Sequence, residues 1–244
     1  MRILIICAGN GERWGDFGGG PKHLVRLIGE PILHRSVRLI RELAPDADVR
    51  IVVADTKDPR YQVKGARRVK ARLTPENGDA DKFLSSAHLW DTQGTTVVLY
   101  GDLFVTREAM TSILNPPADL PDGWWFHGRF DRSTITGHQG GECFAYTLQG
   151  PEGHATFRDA VERVAGLYQA GTIRRCGGWE TYRALMGVPD DEILKFWPDG
   201  LSTHNPNLGH CTVVDDWTED MDGPYDWRQW CWHYAHARPS ARPR

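Results

Sequence analysis

Long apolar runs are missing from this chain. The longest, Ile3 to Ala8, falls far short of the roughly 20 residues that a membrane-crossing helix needs, so no spanning segment is expected. No secretory leader is expected either, because Met1-Arg2 leads directly into that short run without a separate charged region. These two absences predict a cytoplasmic protein without membrane partners. Cysteine is scarce: Cys7, Cys143, Cys176, Cys211 and Cys231 are odd in number, widely spaced and form no CxxC pair, which argues against a disulfide framework and a zinc site. An excess of one charge is also missing. Lys and Arg total 29 against 32 Asp and Glu, a net charge of −3, so no global basic field points to nucleic acid or an anionic membrane. Repeats and low-complexity tracts are absent before residues 237–244, ARPSARPR, whose Pro/Arg composition without apolar anchors predicts a disordered tail.

What remains is an ordinary globular composition with two excesses. The 244 residues, 40% hydrophobic and 25% charged, suffice for one large α/β domain with a continuous core. The excesses are 26 Gly and 10 Trp. Trp197, Trp217, Trp227, Trp230 and Trp232 crowd the C-terminal part, predicting a segment that docks by burying large rings. Apolar segments alternate between two periods. Ile3–Cys7, Val49–Ala54, Thr96–Tyr100, Trp124–His127, Glu142–Leu148 and His210–Val214 read as strands. Leu33, Val37, Ile40 and Leu43 recur at helical spacing, as do Phe83, Ala87 and Trp90, and Phe157, Val161, Val164 and Tyr168. The alternation predicts an α/β fold, a three-layer α/β/α sandwich around a mostly parallel sheet. No clear linker interrupts it, so residues 1–236 are expected to form a single domain.

The first strand ends in a glycine-rich turn, Gly9-Asn10-Gly11-Glu12-Arg13, followed by Gly15, Gly18, Gly19, Gly20, Pro21 and Lys22. Ligands bind beyond the C-terminal ends of parallel strands, and glycines there let backbone N–H groups approach phosphate oxygens. A P-loop needs Gly-Lys before Ser or Thr, whereas here Pro21-Lys22-His23 stands. A dinucleotide fingerprint wants its third glycine to open a helix, and here that glycine is displaced by a charged loop.

The segment Ile3 to Leu33 resembles the opening of the sugar-phosphate pyrophosphorylase-like nucleotidyltransferases of the GT-A fold. Three ordered submotifs carry the resemblance: Ala8-Gly9-Asn10-Gly11-Glu12-Arg13, then Pro21-Lys22-His23-Leu24, then Gly29-Glu30-Pro31-Ile32. The resemblance implies transfer of a nucleoside monophosphate from a nucleoside triphosphate to a phosphorylated sugar or polyol, with release of pyrophosphate, and divides the domain into a nucleotide-binding part over about 1–106 and an acceptor part over about 107–236. It gives Arg13 the leaving pyrophosphate, Lys22 the reacting phosphate, and the backbone of Ala8, Gly9, Asn10 and Gly11 the nucleotide. It also implies Mg²⁺ or Mn²⁺, since a divalent ion offsets phosphate charge. The strand ending Tyr100-Gly101-Asp102 resembles the family's metal-binding G-D step, making Asp102 the metal ligand, with Gly101 expected to leave space for the nucleotide. Near the C-terminus, Asp220-Met221-Asp222-Gly223-Pro224-Tyr225-Asp226 resembles the D-I/V-D-T-x-x-D segment and offers Asp222 as second ligand. Asp216, in Val214-Asp215-Asp216-Trp217, fits almost as well. Ser85 matches the segment that reaches the nucleobase.

Motif signal thins beyond this. His127, Arg129, Asp131, His138, Glu142, Trp179 and Glu180 are candidates for an acceptor pocket, and Arg60, Lys64, Arg67, Arg68, Lys70 and Arg72 form a basic stretch that suits either a polyanion or solvent. Two rival functions stay open at this level. One is a GT-A glycosyltransferase using a nucleotide sugar, its acceptor extending to a modified nucleic acid. The other is a non-catalytic nucleotide-binding module.

Overall fold

A computed structural model of the chain describes residues 1–9, 13–15, 17–116, 123–194 and 210–243. In chain order, β1 (Arg2–Ile6) leads through the glycine-rich turn to the small hairpin of β2 (Arg26–Leu27) and β3 (Glu30–Pro31), then to α1 (Ile32–Leu43), β4 (Asp48–Val53) and β5 (Arg67–Lys70). The short helix α2 (Asp81–Leu84) precedes β6 (Thr95–Tyr100), β7 (Leu103–Phe104) and α3 (Arg107–Leu114). The second half holds β8 (Trp124–Arg129), β9 (Glu142–Gln149), α4 (Gly150–Gln169), α5 (Gly178–Leu185), β10 (Cys211–Val213), β11 (Glu219–Asp220) and α6 (Pro224–His236).

Seven strands make one sheet in the order β10-β8-β9-β6-β1-β4-β5. β1 runs parallel to both neighbours, with Ile6 opposite Val52 on β4 and opposite Tyr100 on β6. β9 alone reverses, antiparallel to β6 and β8. The period-2 alternation of the central strands sorts their side chains to two faces. Leu4, Val52 and Val98 join Phe83, Tyr146, Phe157 and Val161 on one side, where α4 lies. Ile3, Ile5, Val49, Ile51 and Val97 join Leu33, Val37 and Ile40 of α1 and Met110 and Ile113 of α3 on the other. Both faces are therefore covered, which gives the expected three-layer α/β/α arrangement with a mostly parallel sheet. Each such fully buried aliphatic side chain contributes about 1.5–3 kcal/mol of transfer free energy. Among the described residues, no helix is long and apolar enough to cross a membrane.

A third cluster takes up part of the tryptophan excess, while Trp232 stands 58% exposed. Trp217, Met221 and Trp230 pack with Trp14, Leu27, Ile32 and Phe104, so the C-terminal segment docks against the glycine-rich turn near the chain's beginning. Trp230 stacks on Tyr234 at 5.1 Å and its Nε1 donates to the Trp217 carbonyl at 3.0 Å. Trp197 lies outside the described residues.

Two expectations need correction. The spacing of Phe83, Ala87 and Trp90 predicts one helix, but α2 stops at Leu84 and a separate 3-10 turn covers Ala87–Leu89. The Ser86 hydroxyl and N–H both donate to the Phe83 carbonyl, at 2.9 and 3.1 Å, and such local bonding competes with the helical ladder. The tail predicted to be disordered is packed as far as it is described: Pro239–Ala241 form a 3-10 turn, the Ala241 carbonyl accepts from Trp217 Nε1 at 2.6 Å, and the Arg242 guanidinium lies 5.0 Å from the centre of the Tyr234 ring. Proline and arginine here find an aromatic surface that the composition of the tail alone does not reveal.

Candidate active site

The register of β1, β4 and β6 brings their C-terminal ends to one edge of the sheet, where the chain leaves β1 into the glycine-rich turn and leaves β6 through Gly101 to Asp102. Gly101 is needed there for packing. A Cβ on it would run into Cys7 Sγ and sit 2.7 Å from the Ile6 carbonyl oxygen. The space expected to admit nucleotide is filled by the protein, and the glycine lets β6 close against β1.

The C-terminal segment completes this edge. β11 pairs antiparallel with β7, Asp220 opposite Leu103 and Glu219 opposite Phe104, and the Met221 N–H donates to the Asp102 carbonyl at 2.9 Å. Asp102, Asp220 and Asp222 thereby come together, each offering a carboxylate oxygen within 4.8 Å of the others. Lys22, only 8% exposed, pairs with Asp102 and reaches Asp222 Oδ1 at 3.1 Å. Arg13 pairs with Asp222 Oδ2 at 2.5 Å.

Charge follows from this geometry. Burial alone would raise the Asp102 pKa, but the Lys22 ammonium, with smaller help from His23 and Lys82, holds it down at about 2. Burial likewise disfavours the Lys22 ammonium, and Asp102, Asp220 and Asp222 reverse that, so Lys22 stays charged. Asp220 fares differently: burial and then the charges of Asp102 and Asp222 push its pKa well above the ordinary carboxylate value. Its Oδ1 is buried and has no hydrogen-bond partner among the described residues. Buried polar atoms are seldom left so. Hard carboxylate oxygens in this number suit Mg²⁺ or Mn²⁺, and the uncommitted oxygen of Asp220 gives the cluster a donor to spare.

Lys22 joins the acids to a half-open cavity of about 290 Å³ along the glycine-rich turn, whose lining also includes Gly9, Gly19, Gly20 and Arg60. Gly18 and Gly19 hold left-handed conformations, φ 72° and 71°, with open space where side chains would stand. Here the glycines serve backbone curvature, since positive φ is open to glycine at no steric cost. His23 is buried, shares a 3.1 Å hydrogen bond with the Tyr61 hydroxyl, and is pushed by burial to about 4, so its ring is neutral near pH 7.

Of the residues singled out in the sequence, Arg13, Lys22, Asp102 and Asp222 converge, and Gly9 lines the cavity. Ala8 is buried at the end of β1. Asn10 and Gly11 lie outside the described residues. Asp216 is elsewhere: it accepts from the Thr106 hydroxyl and, at 2.6 Å, from the Thr218 N–H, bracing the start of α3 rather than joining Asp102. Ser85 is fully buried, its hydroxyl has no partner among the described residues, and it is not part of the cavity wall.

Two site residues escaped the sequence reading. Asp220 was visible only as the first acid of the Asp220-Met221-Asp222 pattern. Lys82 lies 3.4 Å from Asp79 and over the Tyr100 ring at 5.5 Å. Burial opposes its charge, but Asp79, Asp102, Asp220 and Asp222 raise its pKa. Nothing in its local sequence marks it.

The acceptor candidates divide. Arg129, His138 and Glu142 gather with Glu219 in a second cluster: Arg129 Nη2 donates to both Glu219 oxygens at 2.9 and 3.1 Å, Thr136 donates its hydroxyl to Glu219, and His138 Nε2 meets Glu142 Oε1 at 2.6 Å. His127 is buried against the Thr147 hydroxyl at 3.0 Å and driven by burial to about 3. Glu180 caps the first turn of α5 through the Gly177 N–H at 2.9 Å. Trp179 Nε1 donates to the Gly141 carbonyl at 3.2 Å. Asp131 is exposed and accepts from the Arg132 N–H at 2.7 Å.

The sequence matches no family model and no curated protein. Solved structures do share the fold. A candidate glucose-1-phosphate thymidylyltransferase from Bacillus anthracis superposes with a TM-score of 0.55 at 10% identity, over 95% of this chain and 94% of that one. The Mycobacterium tuberculosis H37Rv protein Rv0371c does so with a TM-score of 0.52 at 15% identity, over 94% and 95%. The Streptococcus pneumoniae CTP:phosphocholine cytidylyltransferase aligns at a TM-score of 0.47 and 13% identity, over 93% and 96%.

Proposed function

We propose that the protein is a Mg²⁺- or Mn²⁺-dependent nucleotidyltransferase that moves a nucleoside monophosphate from a nucleoside triphosphate to a phosphorylated small molecule, a sugar or polyol phosphate, and releases pyrophosphate. The observation that carries the reading is the convergence of Lys22, Arg13 and three carboxylates beside a glycine-lined cavity at the C-terminal edge of the parallel strands. The fold shared with a candidate thymidylyltransferase supports it.

The chemistry needs no protein nucleophile. An oxygen of the acceptor phosphate attacks the α-phosphorus in line, the bond to the α,β-bridging oxygen breaks, and its electron pair leaves with pyrophosphate. Such transfers depend on positioning and charge stabilisation. In this reading the turn's backbone N–H groups hold the polyphosphate, and Lys22, poised beside Asp102, turns its ammonium to the reacting phosphate. Arg13, the most exposed member of the group at 69% side-chain accessibility, follows the leaving pyrophosphate. Asp102, Asp222 and Asp220 would hold the divalent ion, which when bound neutralises phosphate charge.

The test is pyrophosphate release by the purified protein with Mg²⁺, each of the four common nucleoside triphosphates being offered against a pool of sugar and polyol phosphates. Acceptor-dependent release from one triphosphate, lost in Lys22→Ala, is the expected result. No release from any combination, together with thermal stabilisation by nucleotide sugars, would replace the reading with glycosyl transfer.

A further inference from the structure

The basic stretch that follows β4 is not one surface. Arg67, Arg68 and Lys70 belong to β5. Arg60 stands apart, on a 3-10 turn over Pro59–Tyr61 that joins the wall of the glycine-lined cavity. Resting on the nucleotidyl-transfer reading, we infer that Arg60 is a further polyphosphate-binding residue, contacting the phosphates that leave as pyrophosphate.

Three observations support this. The first is how firmly the turn is set. Asp58 caps it by accepting the Arg60 N–H at 3.0 Å, Arg68 Nη1 donates to the Asp58 carbonyl at 2.6 Å, and the Tyr61 hydroxyl shares its 3.1 Å bond with His23, the residue after Lys22. The Arg60 backbone is thereby tied to the segment that carries the catalytic lysine. The second is the guanidinium's orientation. Asp58 takes Nε at 3.0 and 3.1 Å and Nη2 at 2.7 Å, which fixes one edge of the planar group and leaves both hydrogens of Nη1 without a partner among the described residues. A guanidinium held at one edge presents its remaining donors in a defined direction, the geometry that suits phosphate oxygens.

The third is the charge of the cavity. Of its cationic lining residues, Lys22 is committed to Asp102 and Asp222, and neighbouring His23 is buried against Tyr61. Among the described residues lining the cavity, Arg60, with a side chain 56% accessible, is the cation with donors to spare. A polyphosphate seated over Gly19 and Gly20 has both Lys22 and this guanidinium on the lining of the same cavity.

The test is calorimetric titration of the full chain with inorganic pyrophosphate and Mg²⁺, comparing wild type with Arg60→Ala, Lys22→Ala and Arg67→Ala. Arg67 removes the same charge from β5, outside the cavity. Arg60→Ala should weaken pyrophosphate binding about tenfold, as expected for losing hydrogen bonds to a charged ligand, with an unchanged melting temperature, while Arg67→Ala binds as wild type does. Equal affinity in wild type and Arg60→Ala, with binding lost in Lys22→Ala, would overturn the assignment of Arg60 and leave the nucleotidyl-transfer reading standing. Equal weakening in Arg60→Ala and Arg67→Ala would overturn it in favour of a general field effect. Failure of the wild type to bind pyrophosphate would remove both the inference and the reading beneath it.

Discussion

Two carboxylate clusters lie within electrostatic reach of each other, since Asp222 bears on Glu142 and Glu142 bears on Asp220, and they are built on opposite plans. Glu219 is 1% exposed and served at both oxygens, by Arg129 Nη2, by Thr136 and by nearby His138. Asp220, the next residue along, points into a group of three carboxylates with one oxygen unserved. One cluster is closed by its partners, and the other is left with capacity for a ligand. Proximity of acids does not by itself distinguish a structural network from a binding site; the satisfaction of each oxygen does.

The largest effect that would sharpen this contrast is on turnover. Asp102→Asn should lower transfer about a thousandfold while circular dichroism stays near wild type and the melting temperature falls by a few degrees with loss of the Lys22 pair; a variant within tenfold of wild-type rate would take Asp102 out of the site. On stability the order inverts. Arg129→Ala leaves a buried Glu219 without its counter-charge and should cost about 3 kcal/mol in urea unfolding. Asp220→Asn removes an unserved acid and should be neutral or stabilising when no divalent ion is present. If Asp220→Asn proved as costly as Arg129→Ala, the two clusters would be alike after all.

A smaller effect concerns the metal. At a concentration about 100 times its Kd, Mn²⁺ should raise the melting temperature of the wild type by ~5 °C. The same rise is expected in Glu142→Gln, with little or none in Asp102→Asn. A shift abolished by Glu142→Gln would assign the ion to the wrong cluster.

The smallest effect is in pH. Asp102 is held at about 2, below the roughly 3.9 of an unfolded chain, so its contribution is present above that value and lost as pH falls toward 2. Burial lowers the His138 pKa, but its hydrogen bond and attraction to Glu142 outweigh this and raise it. Its contribution is therefore present below the roughly 6.5 of an unfolded histidine and lost as pH rises through the raised value. The Asp102 contribution weakens on the acid side and the His138 contribution on the alkaline side. Unfolding measured across pH should show the alkaline slope reduced in His138→Gln and the acid slope reduced in Asp102→Asn.

The same contrast marks how far the sequence could be read. The layers were legible because Ile3 to Ile6, Val49 to Val53 and Val97 to Leu99 carry their burial in their own composition. So were Lys22, Arg13 and Asp102, whose neighbours Gly9, Pro21 and Gly101 impose a local backbone pattern. Asp220 and Lys82 were not, because what distinguishes them is a distant partner: the ladder with β7 in one case, the facing acids in the other. The choice between Asp216 and Asp222 was equally out of reach. Both sit in similar acidic stretches, and only the pairing of Glu219 with Phe104 turns one toward Asp102 and leaves the other against Thr106. The role of Gly101 was misjudged for a related reason, since a glycine that admits a neighbouring strand and one that admits a ligand look alike in one dimension.

The bond between Lys22 and Asp222 joins residues 200 positions apart. During synthesis the ribosome delivers the glycine-rich turn first and the closing acids last, so for most of that time the early segment exists without the partners that shape its charge. The cost of closing so large a loop grows only logarithmically with its length, but it falls due before any contact at the site forms, and long-range closures of this kind slow folding. Lys22 and Asp102 can meet early, whereas Arg13 and Lys22 acquire Asp222 only when β11 and α6 have come home. Assembly of the site in this way requires the chain to be made and folded at least as far as Asp222, and a ribosome-bound chain stalled before Asp220 should hold nucleotide poorly and transfer nothing.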